Sequence, residues 1–343
     1  IKFLGIDHRA HLNDPLGGHA LLHRRVHGLP VDVAPGEERL EGHGGGDLGK
    51  LSYPREDAQT FWITDRAVDF LQLRDKTRPF FLFVSYLDPH SPSHLCEPYW
   101  NMFDAEQIPL PPTFKQDPTK PSQTAANRHE VNDPKIVKAL TAAYYAKVTM
   151  VDDNVGRLLK ALDDLGLAEN TALVFAGDNG YYLGEHGLGD KRSAYDESLR
   201  VPLLLRYPRL GVKGKTVDAM VLNVDLAPTF LDFAGVDVPK AMHGRSWRPL
   251  LQGDAPPDWR SAYFYCYFFE RGFATPTVTA VRTGTAKLIR YPGHDEWTEL
   301  FDLAKDPYEI KNLANDPAHK ALLAKMQAEF DQQVKLTQYR VPD

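Results

Sequence analysis

Residues 80–86 (FFLFVSY) form an apolar run closed by Arg78-Pro79 before it and by Asp88-Pro89-His90 after it. A run that short and aromatic, without polar alternation and flanked by breakers, reads as a strand covered on both faces. Residues 171–176 (TALVFA) and 201–207 (VPLLLRY) repeat the pattern. Strands of this kind need helices over them. Asp133-Pro134 begins one, with Asp as N-cap and Pro at the first helical position. Val137, Leu140, Tyr144, Val148, Val151, Val155, Leu158 and Leu162 then recur at spacings of three and four. This predicts a helix of about eight turns with one apolar stripe, ending near Gly166.

A second amphipathic helix is expected over 57–74, with Phe61, Ala67, Phe70, Leu71 and Leu73 on its apolar side, and a third over 224–234. Buried strands alternating with helices predict an α/β fold with a mainly parallel sheet flanked by helices. Beyond the GDAPPD segment at 253–258, short aromatic strands at 261–269, 278–282 and 287–291 precede a terminal helix that starts at Asp316-Pro317. That predicts a small C-terminal α+β subdomain, an antiparallel sheet plus a helix. The expected division is 1–50, 51–255 and 256–343. Residues 41–50 read as loop, and 91–132, rich in Pro, as a long surface excursion.

Composition excludes more than it identifies. The net charge of −6 offers no basic field for nucleic acid or an anionic membrane. No apolar run approaches the length of a membrane span. The two cysteines, Cys96 and Cys266, allow one disulfide at most and no zinc pattern. Residues 1–50 carry six of the thirteen histidines, among them His8, His11, His19, His23 and His27, at spacings that match no ligand geometry. They are expected to be a poorly specified segment. Ile1 to Gly5 read as the interior of a longer polypeptide.

The chemistry sits where strands are expected to end. Open α/β sheets place their sites at the carboxyl ends of strands. Gly177-Asp178-Asn179-Gly180 closes the second strand with a carboxylate and a carboxamide, two oxygen donors that suit a hard cation, Ca²⁺ or Mg²⁺. Alone, such a tetrapeptide is an ordinary turn. The loop after it adds Glu185, His186, Asp190, Lys191 and Arg192. A metal taking one oxygen of a tetrahedral oxyanion and a lysine taking another is a workable arrangement. His90, held between two prolines at the end of the first strand, is a candidate oxyanion ligand or general acid. Adjacent Asp152 and Asp153 on the long helix do not share a face and are expected to be structural or solvated. Arg245 is expected to anchor a loop, with substrate contact as the alternative. His294 is a candidate pocket residue.

Several stretches together resemble the type I sulfatases of the alkaline phosphatase-like superfamily. They are TDRAVDFL, PFFLFVSYLDPHSP, YYAKVTMVDDNVGRLLKALDDLGLAENTALVFAGDNGYYLGEHGLGDKRSAYDESLRVPLLLRYP, VLNVDLAPTFLDFAGVDVP, HGRSWRPLL and ELFDLAKDPYEIKNLANDP. The wording looks most like the bacterial carbohydrate sulfatases, and residues 51–255 would be the C-terminal part of their α/β domain. The resemblance implies that Asp178 and Asn179 are the second pair of metal ligands and that Lys191 contacts sulfate. It implies that His90 contacts sulfate and helps protonate the leaving oxygen. His186, in the GEHG loop, Arg245 and His294 would face substrate. It further implies a divalent cation, Ca²⁺ with Mg²⁺ as the alternative, a sulfate ester of a small molecule or oligosaccharide as partner, and a periplasmic or secreted location.

Such enzymes use a Cys or Ser in a C/S-x-P-S-R motif, oxidised to formylglycine, whose hydrate attacks sulfur. No such motif occurs in these 343 residues, nor does the family's first Asp-Asp metal pair. The expected function is therefore a sulfuric ester hydrolase acting on sulfated carbohydrate, represented by a chain without the nucleophile half of its site. A phosphonate or phosphate ester hydrolase of the same superfamily is one alternative, and a catalytically inactive binder of sulfated ligands is another. Asn179 leans toward sulfate, because phosphonate hydrolases often carry Asp-His there.

Overall fold

The computed structural model describes residues 4–6, 48–114, 133–273 and 275–340. The candidate ligands His8, His11, His19, His23 and His27 lie outside the described residues. The chain forms two compact units, one of residues 1–110 and 131–169, the other of 111–130 and 170–343.

In the first unit, strands β1 (Leu4–Ile6), β2 (Leu48–Lys50), β3 (Leu82–Val84) and β4 (Ser93–Leu95) accompany helices α1 (Gln59–Leu73) and α2 (Pro134–Asp164). β1 pairs in parallel with β3, and β2 in parallel with β4. Leu48–Lys50 is thus strand where loop was expected. The 91–132 stretch is likewise not all surface: Leu95, Cys96 and Tyr99 are buried beside Phe61, Ala143, Ala146 and Met150. Aromatic and aliphatic side chains pull this Pro-rich segment inward, so its prolines shape the path of the chain rather than expel it. Residues 115–132 of that stretch lie outside the described residues.

α2 begins as its sequence dictates. The Asp133 carboxylate accepts the Lys135 N–H at 2.8 Å, and Gly166 takes φ +67° just past the last turn. Its buried face is rotated from the predicted stripe. Val148 is 44% exposed, whereas Lys147 is buried. The Tyr99 hydroxyl donates to Asp153 at 2.6 Å, so that carboxylate is structural as expected.

The second unit holds β5 (Leu173–Ala176), β6 (Tyr182–Leu183), β7 (Gly189–Asp190), α3 (Asp196–Leu199), β8 (Leu203–Arg206), α4 (Leu226–Phe233) and α5 (Arg248–Gln252). β9 (Ala262–Tyr267), β10 (Val278–Thr283), β11 (Ala286–Tyr291), β12 (His294–Asp302) and α6 (Lys320–Thr337) follow. β5 and β8 pair antiparallel, from Leu173 opposite Arg206 to Ala176 opposite Leu203. This pair departs from the parallel sense expected for the sheet.

The antiparallel order β12-β11-β10-β9 forms the expected C-terminal sheet. Both of its faces are covered. Val281, Leu288 and Leu300 meet Met326 and Phe330 of α6, while Val278, Ile289, Tyr291 and Phe301 meet Tyr182, Leu188, Ala194 and Tyr195. The glycine-rich loop after β5 is therefore seated on a sheet face. β12, nine residues long, was not predicted. Four of the nine residues in its run HDEWTELFD are acidic, and only the fold shows why one is tolerated inside: Glu299 is fully buried and accepts hydrogen bonds from the Tyr195 and Tyr291 hydroxyls at 2.7 and 2.8 Å. Cys96 and Cys266 are both free thiols, the first buried and the second exposed.

Candidate active site

Asp178 and Asn179 follow β5 in an exposed turn. One carboxylate oxygen of Asp178 accepts the Asn179 N–H at 2.8 Å. The Asn179 amide nitrogen donates to Gly180 O at 2.7 Å, which leaves the carboxamide oxygen as its outward acceptor. From below, Asn223 donates to Asp178 O at 3.1 Å. Gly180 is required here. A Cβ at that position would lie 1.9 Å from Glu197 O.

That close approach joins the turn to α3. The Gly180 N–H donates to Ser198 O at 2.8 Å, and the Ser198 hydroxyl donates to Lys191 O. One buried serine thus holds the backbone of the Asp178-Asn179 turn and the backbone of Lys191. The Lys191 side chain is half-buried, and among the described residues no ion pair to its ammonium is seen. Neighbouring Arg192 is committed elsewhere: it pairs with Asp190 and lies 3.4 Å from the centroid of Phe273.

Aromatic packing fixes the loop between turn and lysine. Ser193 and the Tyr195 N–H both donate to the buried Tyr182 hydroxyl, at 2.9 and 3.3 Å. His186 is completely buried, with φ +54°, stacked on Tyr195 at 4.0 Å between centroids. Its Nε2 faces Glu197 at 3.3 Å. Burial alone would push the Glu197 carboxyl up, but the imidazole outweighs it and holds the group below its usual range. His186 therefore shapes the loop from inside.

α3 is tied to the C-terminal sheet by buried charge. Asp196 receives a bidentate pair from Arg282 at 2.9 and 2.9 Å and the Lys287 ammonium at 2.6 Å. Lys287 also meets Glu309 at 2.7 Å, and Glu309 accepts the Asp196 N–H at 2.7 Å. The sequence marks none of Ser198, Asp196, Lys287 or Glu309 as special. Their role comes from the strand pairing that brings positions a hundred residues apart together.

Arg245 and His294 occupy other parts of this unit. The Arg245 guanidinium donates to Asp258 at 2.8 and 3.0 Å and lies over Trp259, which is the loop-anchoring role expected of it. His294 stacks on Trp297 at 3.8 Å, and Trp297 packs against the cluster containing Tyr182 and Tyr195.

His90 belongs to the first unit. Its ring is exposed, and Nδ1 lies 2.7 Å from Ser91 O. The loop 88–92 contains cis peptide bonds at Asp88-Pro89 and Ser91-Pro92.

Asp178 and Asn179 supply two oxygens of the kind that Ca²⁺ or Mg²⁺ takes, whereas such ions need six to eight. Among the described residues no group of three His, Cys, Asp or Glu is placed to hold a metal. The pair thus fits a hard cation as part of a larger ligand set.

Residues 48–236 match the family model described as Sulfatase, and 184–336 match that described as N-sulphoglucosamine sulphohydrolase, C-terminal. The N-acetylglucosamine-6-O-sulfatase of Bacteroides thetaiotaomicron is 43% identical over 204 residues, 58% of this chain and 36% of its own length. A solved structure of a protein with its substrate D-glucosamine-2-N,6-O-disulfate shares 28% identity at a TM-score of 0.74, covering 81% of this chain and 69% of its own. The phosphonate monoester hydrolase of Silicibacter pomeroyi superposes at a TM-score of 0.76 with 27% identity, over 93% of this chain and 69% of its own. The chain spans 36% to 58% of the length of the curated relatives it matches.

Proposed function

Because this chain belongs to the sulfatase family, we propose that the whole protein hydrolyses sulfuric esters of carbohydrate. The observation that carries the reading is the Ser198 junction, which holds the Asp178-Asn179 turn and Lys191 together on one sheet-backed loop. The 43% identity to an N-acetylglucosamine-6-O-sulfatase and the likeness to a glucosamine-disulfate complex support a sulfated amino sugar as substrate.

In this reading Asp178 and Asn179 hold a divalent cation, Ca²⁺ or Mg²⁺ by donor chemistry. The ion would polarise a sulfate oxygen. Lys191 places an ammonium against another sulfate oxygen, where it offsets charge that grows as the ester bond breaks. His90 presents its exposed ring to the leaving oxygen and gives it a proton. His186 keeps the loop in shape, and His294 and Arg245 border the sugar. Formylglycine as the nucleophile belongs to the whole protein.

The phosphonate hydrolase likeness favours a second reading, a phosphonate or phosphate ester hydrolase. The two separate in one experiment on the full-length protein. Release of sulfate from 6-sulfated N-acetylglucosamine and its oligosaccharides is compared with hydrolysis of an aryl phosphonate. Sulfate release should dominate and should vanish on chelation of divalent cations. Phosphonate turnover without sulfate release would replace the proposal.

A further inference from the structure

Lys147 contradicts the pattern of its own helix. It stands midway along α2, where the apolar stripe should turn Val148 inward, yet it is 2% exposed. A buried ammonium is costly unless every N–H finds an acceptor. Here each of the three does: His90 O at 2.6 Å, Pro92 O at 2.6 Å and one Asp88 carboxylate oxygen at 3.0 Å. The other Asp88 oxygen accepts the Thr60 hydroxyl from α1. All three Lys147 protons are therefore spent on one five-residue loop, and none remains for a ligand.

The loop so held carries His90. The His90 N–H donates to Leu87 O at 2.9 Å, and its ring Nδ1 lies 2.7 Å from Ser91 O. A carbonyl oxygen can only accept, so Nδ1 carries the hydrogen. In the neutral ring Nε2 is then bare, the reverse of the tautomer that free histidine favours. Lys147 grips the carbonyls on either side of Ser91, at 90 and 92, and so sets where the Ser91 carbonyl points.

We propose that Lys147 is a positioning residue that fixes the tautomer and direction of the His90 ring: Nδ1–H stays on Ser91 O, and Nε2 is the nitrogen that takes up a proton and delivers it to the leaving oxygen. The inference rests on the role proposed for His90.

The test uses the intact protein labelled with ¹⁵N at histidine, in mildly alkaline buffer, with the His90 ring signals assigned by their loss in His90→Gln. The wild type should show a protonated Nδ1 and a bare Nε2. In Lys147→Met, whose fold is checked by circular dichroism and thermal melting, the two nitrogen shifts should converge or exchange. Turnover of a 6-sulfated sugar should fall by about tenfold or more, with KM changed less than about twofold. Lys147→Gln retains two N–H donors and should lie between, and it serves if the Met variant does not fold. Unchanged His90 ring shifts in a folded variant would overturn the role. If the wild type releases no sulfate from any ester, the proposed function falls. The ring shifts then uphold or overturn the role of Lys147 by themselves.

Discussion

Lys191 and Gly180 show how much a single position can decide. The Lys191 backbone is held by Ser198, and the direction of its half-buried side chain follows from that grip. Lys191→Ala in the full-length protein should lower kcat for a sulfate ester by about 10²- to 10³-fold, the range for removing one oxyanion donor. Steady-state kinetics with melting controls would check it. Gly180 acts by having no side chain, since its Cβ would collide with Glu197 O. Gly180→Ala should cost roughly 1–3 kcal/mol in urea unfolding through this overlap. Cation affinity at the Asp178-Asn179 turn should weaken with it. The glycine and the lysine were legible as a motif. That both hang from one serine was not, because a hydroxyl contact seven residues away has no sequence signature.

At the scale of elements, α2 was the most legible part of the chain. Its start, length and end follow from the cap, the apolar repeat and Gly166. Asp133→Ala should lower stability by about 1 kcal/mol, as loss of an N-cap does. Chemical denaturation would show it, while His90 ring signals stay unchanged, since Lys147 lies several turns away. The fine rotation of α2 was less legible. Apolar periodicity cannot foresee that three acceptors in the 88–92 loop will draw Lys147 inward past Val148. β12 failed for a related reason. Four acidic residues among nine argue against a strand until the partners of Glu299 and the covered faces are seen.

For the molecule as a whole, the charge cluster joining α3 to the C-terminal sheet sets a pH dependence. Burial would raise Asp196, but Arg282 and Lys287 outweigh it and hold the carboxyl at about 2. Its folded pKa lies below its unfolded one, so its contribution, on the order of 2 kcal/mol, is present above about pH 4 and is lost as pH falls toward 2. Glu309 runs the other way. Burial pushes it up to about 7 against the pull of Lys287. The folded state then holds a proton that the unfolded state releases, so stability declines as pH rises from about 4.5 to 7. Thermal melting across this range should show a rise from pH 2 to 4 and a fall above it. Glu309→Gln should flatten the fall and leave the rise intact.

The long helices, the three apolar strands around 80–86, 171–176 and 201–207, the C-terminal sheet with its helix, and the identity of Asp178, Asn179, Lys191 and His90 as candidates were set by the sequence itself. Apolar periodicity, caps and glycine turns act over a few residues, and short-range physics can be read along a chain. Tertiary structure alone decided the antiparallel sense of β5 and β8, the buried ammonium groups of Lys147 and Lys287, and the serine that joins turn to lysine. Each depends on acceptors brought from distant positions, and a buried charge is tolerated only once those acceptors are in place.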